Sequence, residues 1–118
     1  MNKKEIGNKK ENLAEEFLKN NGYKILERNY STKFGEIDII AYKENTLIFI
    51  EVRSKSYNYF GKPFETVDKK KIKKIVKTAQ KYILQNNLQN FDIRFDVISV
   101  EKEKINHIKS AFDLDYIS

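Results

Sequence analysis

Two neighbouring apolar runs, each interrupted by one acidic residue, constrain the fold of this chain more than any other feature. They are Gly35-Glu36-Ile37-Asp38-Ile39-Ile40 and Phe49-Ile50-Glu51-Val52-Arg53-Ser54-Lys55. Alternate side chains of a strand face opposite sides, and apolar residues on both sides are typical of strands buried on both faces of a sheet. A carboxylate is costly to bury unless it is paired, hydrogen-bonded or bound to a metal. Asp38 and Glu51 therefore need partners.

Spacing alone leaves two interpretations of this acidic pair open. In the first, Asp38 and Glu51 supply hard oxygen ligands for Mg²⁺ or Mn²⁺, and a cation beside them steadies a phosphate or an attacking water. In the second, Glu51 pairs with Arg53 or Lys55 at a strand end, and Asp38 caps a turn. The pattern D-x(12)-E-x-[KR] is short and often matches by chance.

Composition excludes several kinds of site. The chain has 118 residues, which predicts one domain over residues 1–118, and it has no cysteine for a disulfide, a zinc site or a thiol nucleophile. The single histidine, His107, excludes a multi-histidine metal site. The net charge of +6 permits a nucleic-acid partner without establishing one. Because no apolar run has the length of a signal peptide core or a membrane span, we expect a cytoplasmic protein and no membrane partner.

Hydrophobic periodicity and turn residues predict seven elements. The predicted helices are residues 8–21 and 64–86, and the predicted strands are residues 23–30, 35–43, 46–55, 91–100 and 105–109. The resulting order, α-β-β-β-α-β-β, predicts an α/β fold. Three consecutive strands form a meander, and a helix then crosses over to another strand of a mixed sheet flanked by helices.

The first predicted helix leaves the role of Glu11 open. Asn8 is a suitable N-cap, and Glu11 follows it by three residues, which is the spacing of a capping box. Alternatively, Glu11 lies at the edge of the apolar stripe of this helix and could lean over an edge of the sheet.

The second predicted helix carries seven lysines between residues 69 and 81. Those roughly opposite its apolar stripe form either a solvated face or a track for phosphates: Lys70, Lys74, Lys77 and Lys81. Lys71 borders the stripe and could reach over the sheet. The preceding loop, residues 56–63, holds three aromatic residues and Lys62. These aromatic rings could stack on bases, but we expect them to fold back onto the core.

The last two strands carry a further polar group. Arg94 and Asp96 fall on the same face of a predicted strand, so we expect them to pair and to support the site from behind. His107 alternates with apolar residues of the last strand, which favours a structural role.

Taken together, motifs in nearly the whole chain resemble the bacterial UPF0102 (YraN-like) family. They are Gly7-x-x-x-Glu11-x-x-Ala14, Asn29, Gly35-Glu36-Ile37-Asp38, Phe49-Ile50-Glu51-Val52-Arg53-x-Lys55, Phe60-Gly61, Val67-x-x-x-Lys71, Arg94-Phe95-Asp96-Val97 and Ile105-x-His107-Ile108-x-x-Ala111-Phe112. The resemblance implies a restriction-endonuclease-like fold, similar to archaeal Holliday-junction resolvases and other PD-(D/E)xK nucleases. Resolvase-like enzymes often act as dimers, so the resemblance leaves a homodimer open, although the sequence shows no apolar surface that can be assigned to an interface.

In that superfamily a helix Glu, a strand Asp and a strand Glu bind one or two Mg²⁺, and a Lys two residues after the Glu assists. The resemblance places these roles on Glu11, Asp38, Glu51 and Arg53. Arginine departs from the superfamily pattern, because it can clamp a phosphate but stays protonated and cannot act as a base. Lys55 points to the same face, about 7 Å further along the strand, and could take part of the role. Lys10 is a second departure, where the family usually has a glycine.

The resulting hypothesis is a Mg²⁺- or Mn²⁺-dependent DNA endonuclease. Its metal ligands would be Asp38, Glu51 and Glu11, and its other catalytic residues would be Arg53 and Lys55. The residues expected to hold the nucleic acid are Lys71, Lys62, Lys70 and Lys74. Phosphate contacts carry little base specificity, which favours structured or branched DNA as the target. Two alternatives stay open: a non-catalytic nucleic-acid-binding module with a nuclease fold, and a protein-interaction adaptor that uses the loop over residues 57–64.

Overall fold

The computed structural model describes residues 3–54 and 69–112, with side chains described from residue 9 onward. Seven elements occur in the predicted order. They are α1 (Lys3–Asn20), β1 (Lys24–Thr32), β2 (Gly35–Lys43), β3 (Thr46–Ser54), α2 (Lys69–Gln85), β4 (Asp92–Glu101) and β5 (Lys104–Phe112). The predicted α/β class and the order α-β-β-β-α-β-β are confirmed.

The five strands form one mixed sheet in the order β1-β2-β3-β4-β5. Hairpin turns make β1, β2 and β3 antiparallel neighbours. The chain then passes through α2 before β4, and a crossover of this kind brings β4 back parallel to β3. A tight turn returns β5 antiparallel to β4. The two central strands of the sequence, β2 and β3, are therefore buried inside the sheet, as their apolar pattern predicted.

Each helix covers one face of the sheet. The apolar stripe of α2, which includes Ile72, Val76 and Ala79, packs against side chains such as Phe49 and Val97 on one face. Ala14 and Leu18 of α1 are fully buried against the other face. Neither helix is long and apolar enough to cross a membrane, within the residues described.

Several predicted boundaries differ from the structure. Helix α1 begins at Lys3, so Asn8 lies inside the helix and the predicted capping box is wrong. The preceding residues are mostly charged straight-chain residues, which favour continuation of the helix. Strand β1 extends to Thr32, and β5 extends to Phe112 because it pairs with β4 across a bulge. The first part of the predicted helix 64–86 and the aromatic loop 56–63 lie outside the described residues.

Candidate carboxylate site

The sheet splits between β2 and β3, and the acidic pair lies at the split. Register pairs between these strands run from Lys43↔Thr46 to Ile39↔Ile50. Beyond that point β2 stays paired with β1, and β3 stays paired with β4 as far as Ser54↔Val100. Asp38 and Glu51 are the next residues, one on each strand. The fold therefore brings together two carboxylates that are separated by 12 residues in the sequence.

At the split, the side chain of Asp38 takes the place of a β2 carbonyl as the hydrogen-bond acceptor for β3. Asp38 Oδ2 accepts a hydrogen bond of 2.8 Å from the backbone N–H of Val52. This contact satisfies a half-buried backbone donor that has no register partner on β2. The alternative that Asp38 caps a turn is therefore wrong, because its partner is the backbone of strand β3.

The neighbouring strand β1 is irregular at the same level. Asn29 has φ +52°, a left-handed conformation that asparagine tolerates better than most residues. Residues two apart in a strand normally share a face, yet Arg28 reaches α1 while Tyr30 donates a 2.7 Å hydrogen bond to Gln85 of α2. Asn29 therefore directs the side chains on either side of it to opposite faces.

The irregularity changes which face of β2 one residue meets. Strict alternation along the strand would place Ile37, Ile39 and Ala41 on one face. Ile39 and Ala41 do pack on the α1 side, but Ile37 packs on the α2 side with Ile40. Ile37 pairs with Tyr30, just past Asn29, so the change of face follows the irregular backbone of β1.

Glu51 lies between two cations. Its Oε2 accepts a hydrogen bond of 3.0 Å from the Arg53 guanidinium, and its Oε1 forms an ion pair with the ammonium of Lys71 from α2. The Glu51 side chain is only 11% exposed, so these partners offset the cost of burying its charge. The prediction that Glu51 pairs with Arg53 is confirmed, and so is the prediction that Lys71 reaches over the sheet.

Glu11 is held by a cation that the sequence did not single out. Arg28 of β1 contacts Glu11 Oε1 at 3.3 Å, donates a 2.9 Å hydrogen bond to Asn12 Oδ1, and lies 3.5 Å from Glu15. Arg28 pairs in register with Ile39, beside Asp38. The only signal in the sequence was a charged residue within a predicted strand, which does not reveal the face to which it points.

Asp38 has the most unusual electrostatics of the site. Its pKa is raised from 3.8 to about 7, mainly by burial and in smaller part by the carboxylates of Glu11, Glu51 and Glu36, while the Val52 hydrogen bond acts in the opposite direction. A bound cation would act in the opposite direction. Perturbation by burial and by like charges is common at functional sites.

The raised pKa of Asp38 predicts a pH dependence of folding stability. The folded state holds a proton on Asp38 up to pH about 7, whereas the unfolded state releases it near 3.8, so stability falls as pH rises between these values. The loss amounts to at most about 4 kcal/mol. Asp38→Asn keeps an acceptor for Val52 and cannot ionise, so we expect it to be more stable than wild type at pH 8 and similar at pH 4. Urea unfolding in EDTA measures this, and equal pH profiles for both proteins would contradict the expectation.

An open pocket joins the acidic pair to the lysines of α2. Its lining comprises Gly35, Glu36, Asp38, Glu51, Lys70, Lys71, Lys74 and Ile75. Gly35 allows this close approach, because a Cβ there would lie 3.2 Å from the Lys74 Cβ. Three of the four lysines predicted to bind nucleic acid therefore line the same pocket as the carboxylates. Lys55 and Lys62 lie outside the described residues.

The three predicted metal ligands, Glu11, Asp38 and Glu51, do not form a preformed metal-binding cluster. Within residues 9–54 and 69–112, no three Asp, Glu or His side chains are close enough to hold a metal ion together. Arg28 holds Glu11, and Lys71 and Arg53 hold Glu51. Asp38 and Glu51 flank the split, and the metal site stays a prediction.

A second polar cluster lies under the α1 face of β4. Asp96 is fully buried and accepts two hydrogen bonds of 2.9 Å from Arg94, one of 3.0 Å from the Ser110 amide, and a 2.7 Å contact from His107 Nε2. Burial alone would raise the pKa of Asp96, but these hydrogen bonds outweigh it and lower that pKa below 3.8. The predicted Arg94–Asp96 pair is confirmed, and His107 takes part in the same network.

Comparison with known proteins agrees with the motifs. The model of the family described as "Uncharacterised protein family UPF0102" matches residues 10–100, a range that includes Glu11, Asp38 and Glu51. A UPF0102 protein of Clostridioides difficile is 53% identical over 114 residues, covering 95% of this chain and 100% of the relative. A UPF0102 protein of Persephonella marina is 51% identical over 110 residues, covering 93% of this chain and 95% of the relative. One from Sulfurihydrogenibium is 45% identical over 115 residues, covering 98% and 100%.

Proposed function

The chain belongs to the UPF0102 family, and from that premise and the geometry of its carboxylate site we propose that it is a Mg²⁺- or Mn²⁺-dependent endonuclease acting on DNA. One observation carries the proposal. Two carboxylates at a split in the sheet share a pocket with three lysines. Carboxylates suit a hard divalent cation, and lysines suit the phosphates of a nucleic acid.

The chemistry of the donor set fits such an ion. Asp38 and Glu51 offer only oxygen atoms, and no thiol is present in the chain. Burial is the main cause of the raised pKa of Asp38, and the neighbouring carboxylates add to it; a divalent cation would relieve both effects. Glu51 Oε1 already faces a positive charge, the Lys71 ammonium, at the position where a metal would compete. Bound between the two strands, the ion would supply an activated water and neutralise charge on a phosphodiester.

The protein's own cations provide the rest of the chemistry. Arg53 is fixed by its hydrogen bond to Glu51 and presents a planar fork suited to phosphate oxygens. Hydrolysis forms a bond from the water oxygen to phosphorus and breaks the bond to one bridging oxygen, so negative charge builds on the phosphate in the transition state. Cations already held in place stabilise that charge without reorganising.

Lys71 could supply the lysine of the site, since this chain has Arg53 where the superfamily has a lysine. Arg53 stays protonated and cannot act as a base, and Lys71 brings a second cation, an ammonium from α2, to the same carboxylate, Glu51. The functional lysine of the site would then come from the helix instead of from the strand. In this proposal Arg53 binds the phosphate oxygens, and the Lys71 ammonium stabilises negative charge near the attacking water.

The target that fits best is structured or branched DNA. The lysines that line the pocket suit the phosphates of the backbone, and phosphate contacts carry no direct sequence information. Selection would then depend on the shape of the substrate. The resemblance leaves a homodimer open.

A second candidate is a nucleic-acid-binding module that has kept the fold without catalysis. The observation that favours it is that Glu11 and Glu51 already have cationic partners within the chain. Such pairs satisfy the carboxylates without a metal. The adaptor hypothesis depends on residues 57–64, which lie outside the described residues, and it stays a prediction.

Cleavage of a panel of labelled DNAs separates these candidates. The panel contains a single strand, a blunt duplex, a flap and a four-way junction, each with Mg²⁺, Mn²⁺ or EDTA. We expect metal-dependent cutting of at least one branched substrate by the wild type and none by Asp38→Asn. Salt-sensitive binding without any cutting would support the binding module instead. Failure to bind any DNA at low salt would contradict both.

A further inference from the structure

An exposed aromatic ring stands at the end of the lysine-lined pocket. Phe34 lies in the turn between β1 and β2, and it is the aromatic member of the three large hydrophobic residues found exposed among the described side chains. The next residue in the chain is Gly35, which lines the pocket. A single exposed apolar residue is common on protein surfaces, so the significance of Phe34 depends on the position of the ring beside the pocket and on its neighbours.

The backbone of the turn that carries the ring is anchored to α2. The backbone N–H of Phe34 donates a 3.0 Å hydrogen bond to Thr32 Oγ1, and that hydroxyl lies 3.4 Å from Thr78 Oγ1 of α2. The close approach of Gly35 to Lys74 fixes the other side of the turn. A platform that is already ordered loses little conformational entropy when a ligand binds.

Cations surround the ring and connect it to the pocket. The Nζ atoms of Lys33 and Lys77 lie 5.3 Å and 5.7 Å from the centre of the Phe34 ring. Lys77 follows Lys70 and Lys74 along α2 at helical spacing, so the row spans about 10 Å from the pocket to the ring. Asp38 lies about 13 Å from Phe34 along β2. A DNA strand bound at the carboxylates of the pocket would therefore pass within reach of the Phe34 ring.

We propose that Phe34 is a stacking platform for an unpaired nucleobase of the strand whose phosphates follow Lys70, Lys74 and Lys77. The inference rests on the proposed function, because the strand is the one that enters the carboxylate pocket. A base can stack on phenylalanine whatever its identity, and the flanking ammonium groups can then move from the ring to the phosphates. Paired bases in a duplex cannot stack in this way, so Phe34 gives the protein a preference for DNA with a single-stranded segment.

A unique fluorophore tests the contact. The chain has no tryptophan, so Phe34→Trp in the full-length protein introduces a single reporter at the platform. Leu84→Trp is the matched control, since Leu84 is 64% exposed at the C-terminal end of α2. In EDTA we expect a short oligothymidylate to quench the emission of the first variant and to leave the second unchanged. A blunt duplex should quench neither.

Affinity provides the second readout. Phe34→Ala should weaken binding of fluorescein-labelled oligothymidylate by about tenfold. The control Leu84→Ala should bind it with the wild-type affinity. Binding of a blunt duplex should change by less than about twofold, because phosphate contacts dominate there. Unquenched emission together with unchanged affinity of Phe34→Ala would overturn the inference and would assign the ring to another partner, such as a protein.

The two proposals fail in different ways. If wild type cuts DNA and Phe34 has no effect on strand binding, the stacking inference is wrong and the endonuclease stands. If the tryptophan is quenched but no DNA is cut, the stacking inference holds in a binding module.

Discussion

Replacing Glu51 with glutamine is expected to reduce metal-dependent DNA cleavage by at least about 10³-fold, which corresponds to about 4 kcal/mol of transition-state stabilisation. The amide has nearly the shape of the carboxylate but carries no charge. It would therefore weaken the metal site and release Arg53 and Lys71 from their common partner. Single-turnover cleavage of the best substrate from the DNA panel measures the effect.

DNA binding should survive the same substitution. Glu51→Gln raises the net charge of the protein by one, and a more positive pocket attracts phosphates at least as well. Glu16→Gln is the matched control, because Glu16 is an exposed acid on α1 and has the same change in charge. Cleavage by Glu51→Gln at the rate of Glu16→Gln would show that Glu51 has no part in the chemistry.

Replacing Asp96 with alanine should produce the largest loss of stability, about 3–5 kcal/mol. Asp96 is fully buried, and its removal leaves the Arg94 guanidinium and the Ser110 amide without their acceptor. A domain of this kind is stable by only about 5–15 kcal/mol, so the loss would be a large share of the total. Urea unfolding at pH 7 measures it.

The effect of Asp96 should depend on pH with a definite sign. Its pKa is lowered in the folded state, so its contribution is present above pH 3.8 and is lost as pH falls further. The difference between wild type and Asp96→Ala should therefore shrink in acid. Asp92→Ala is the control, since Asp92 is exposed on the same strand and its loss should change stability by less than about 0.5 kcal/mol. Equal losses for the two variants would contradict the account of the buried network.

Much of the fold could be predicted because the apolar patterns were strong. The bounds of β2 matched residues 35–43, and those of β3 differed by one residue. The prediction was wrong at the start of α1, where Asn8 resembled an N-cap although the chain before it favours helix. Local capping signals compete with the propensity of the flanking residues, and sequence alone does not say which prevails.

The site could be predicted in its residues but not in its geometry. The spacing of Asp38 and Glu51 placed them on adjacent strands, and the family resemblance added Glu11. The split of the sheet depends on the left-handed backbone of Asn29 and on the side chain of Asp38 acting as a partner for Val52. Neither feature has a periodic signature. Arg28 was missed for the same reason, because the irregular backbone at Asn29 decides which face it meets.

Binding of Mn²⁺ to the protein–DNA complex tests the central claim most directly, namely that Asp38 and Glu51 hold a divalent ion at the split of the sheet. The loss of the electron paramagnetic resonance signal of free Mn²⁺ reports bound ions, with an uncleavable phosphorothioate analogue of the substrate present. We expect wild type and the control Glu16→Gln to bind Mn²⁺, and Asp38→Asn and Glu51→Gln each to weaken that binding at least about tenfold, or about 1.4 kcal/mol. Equal binding by all four proteins, or none by wild type, would contradict the claim.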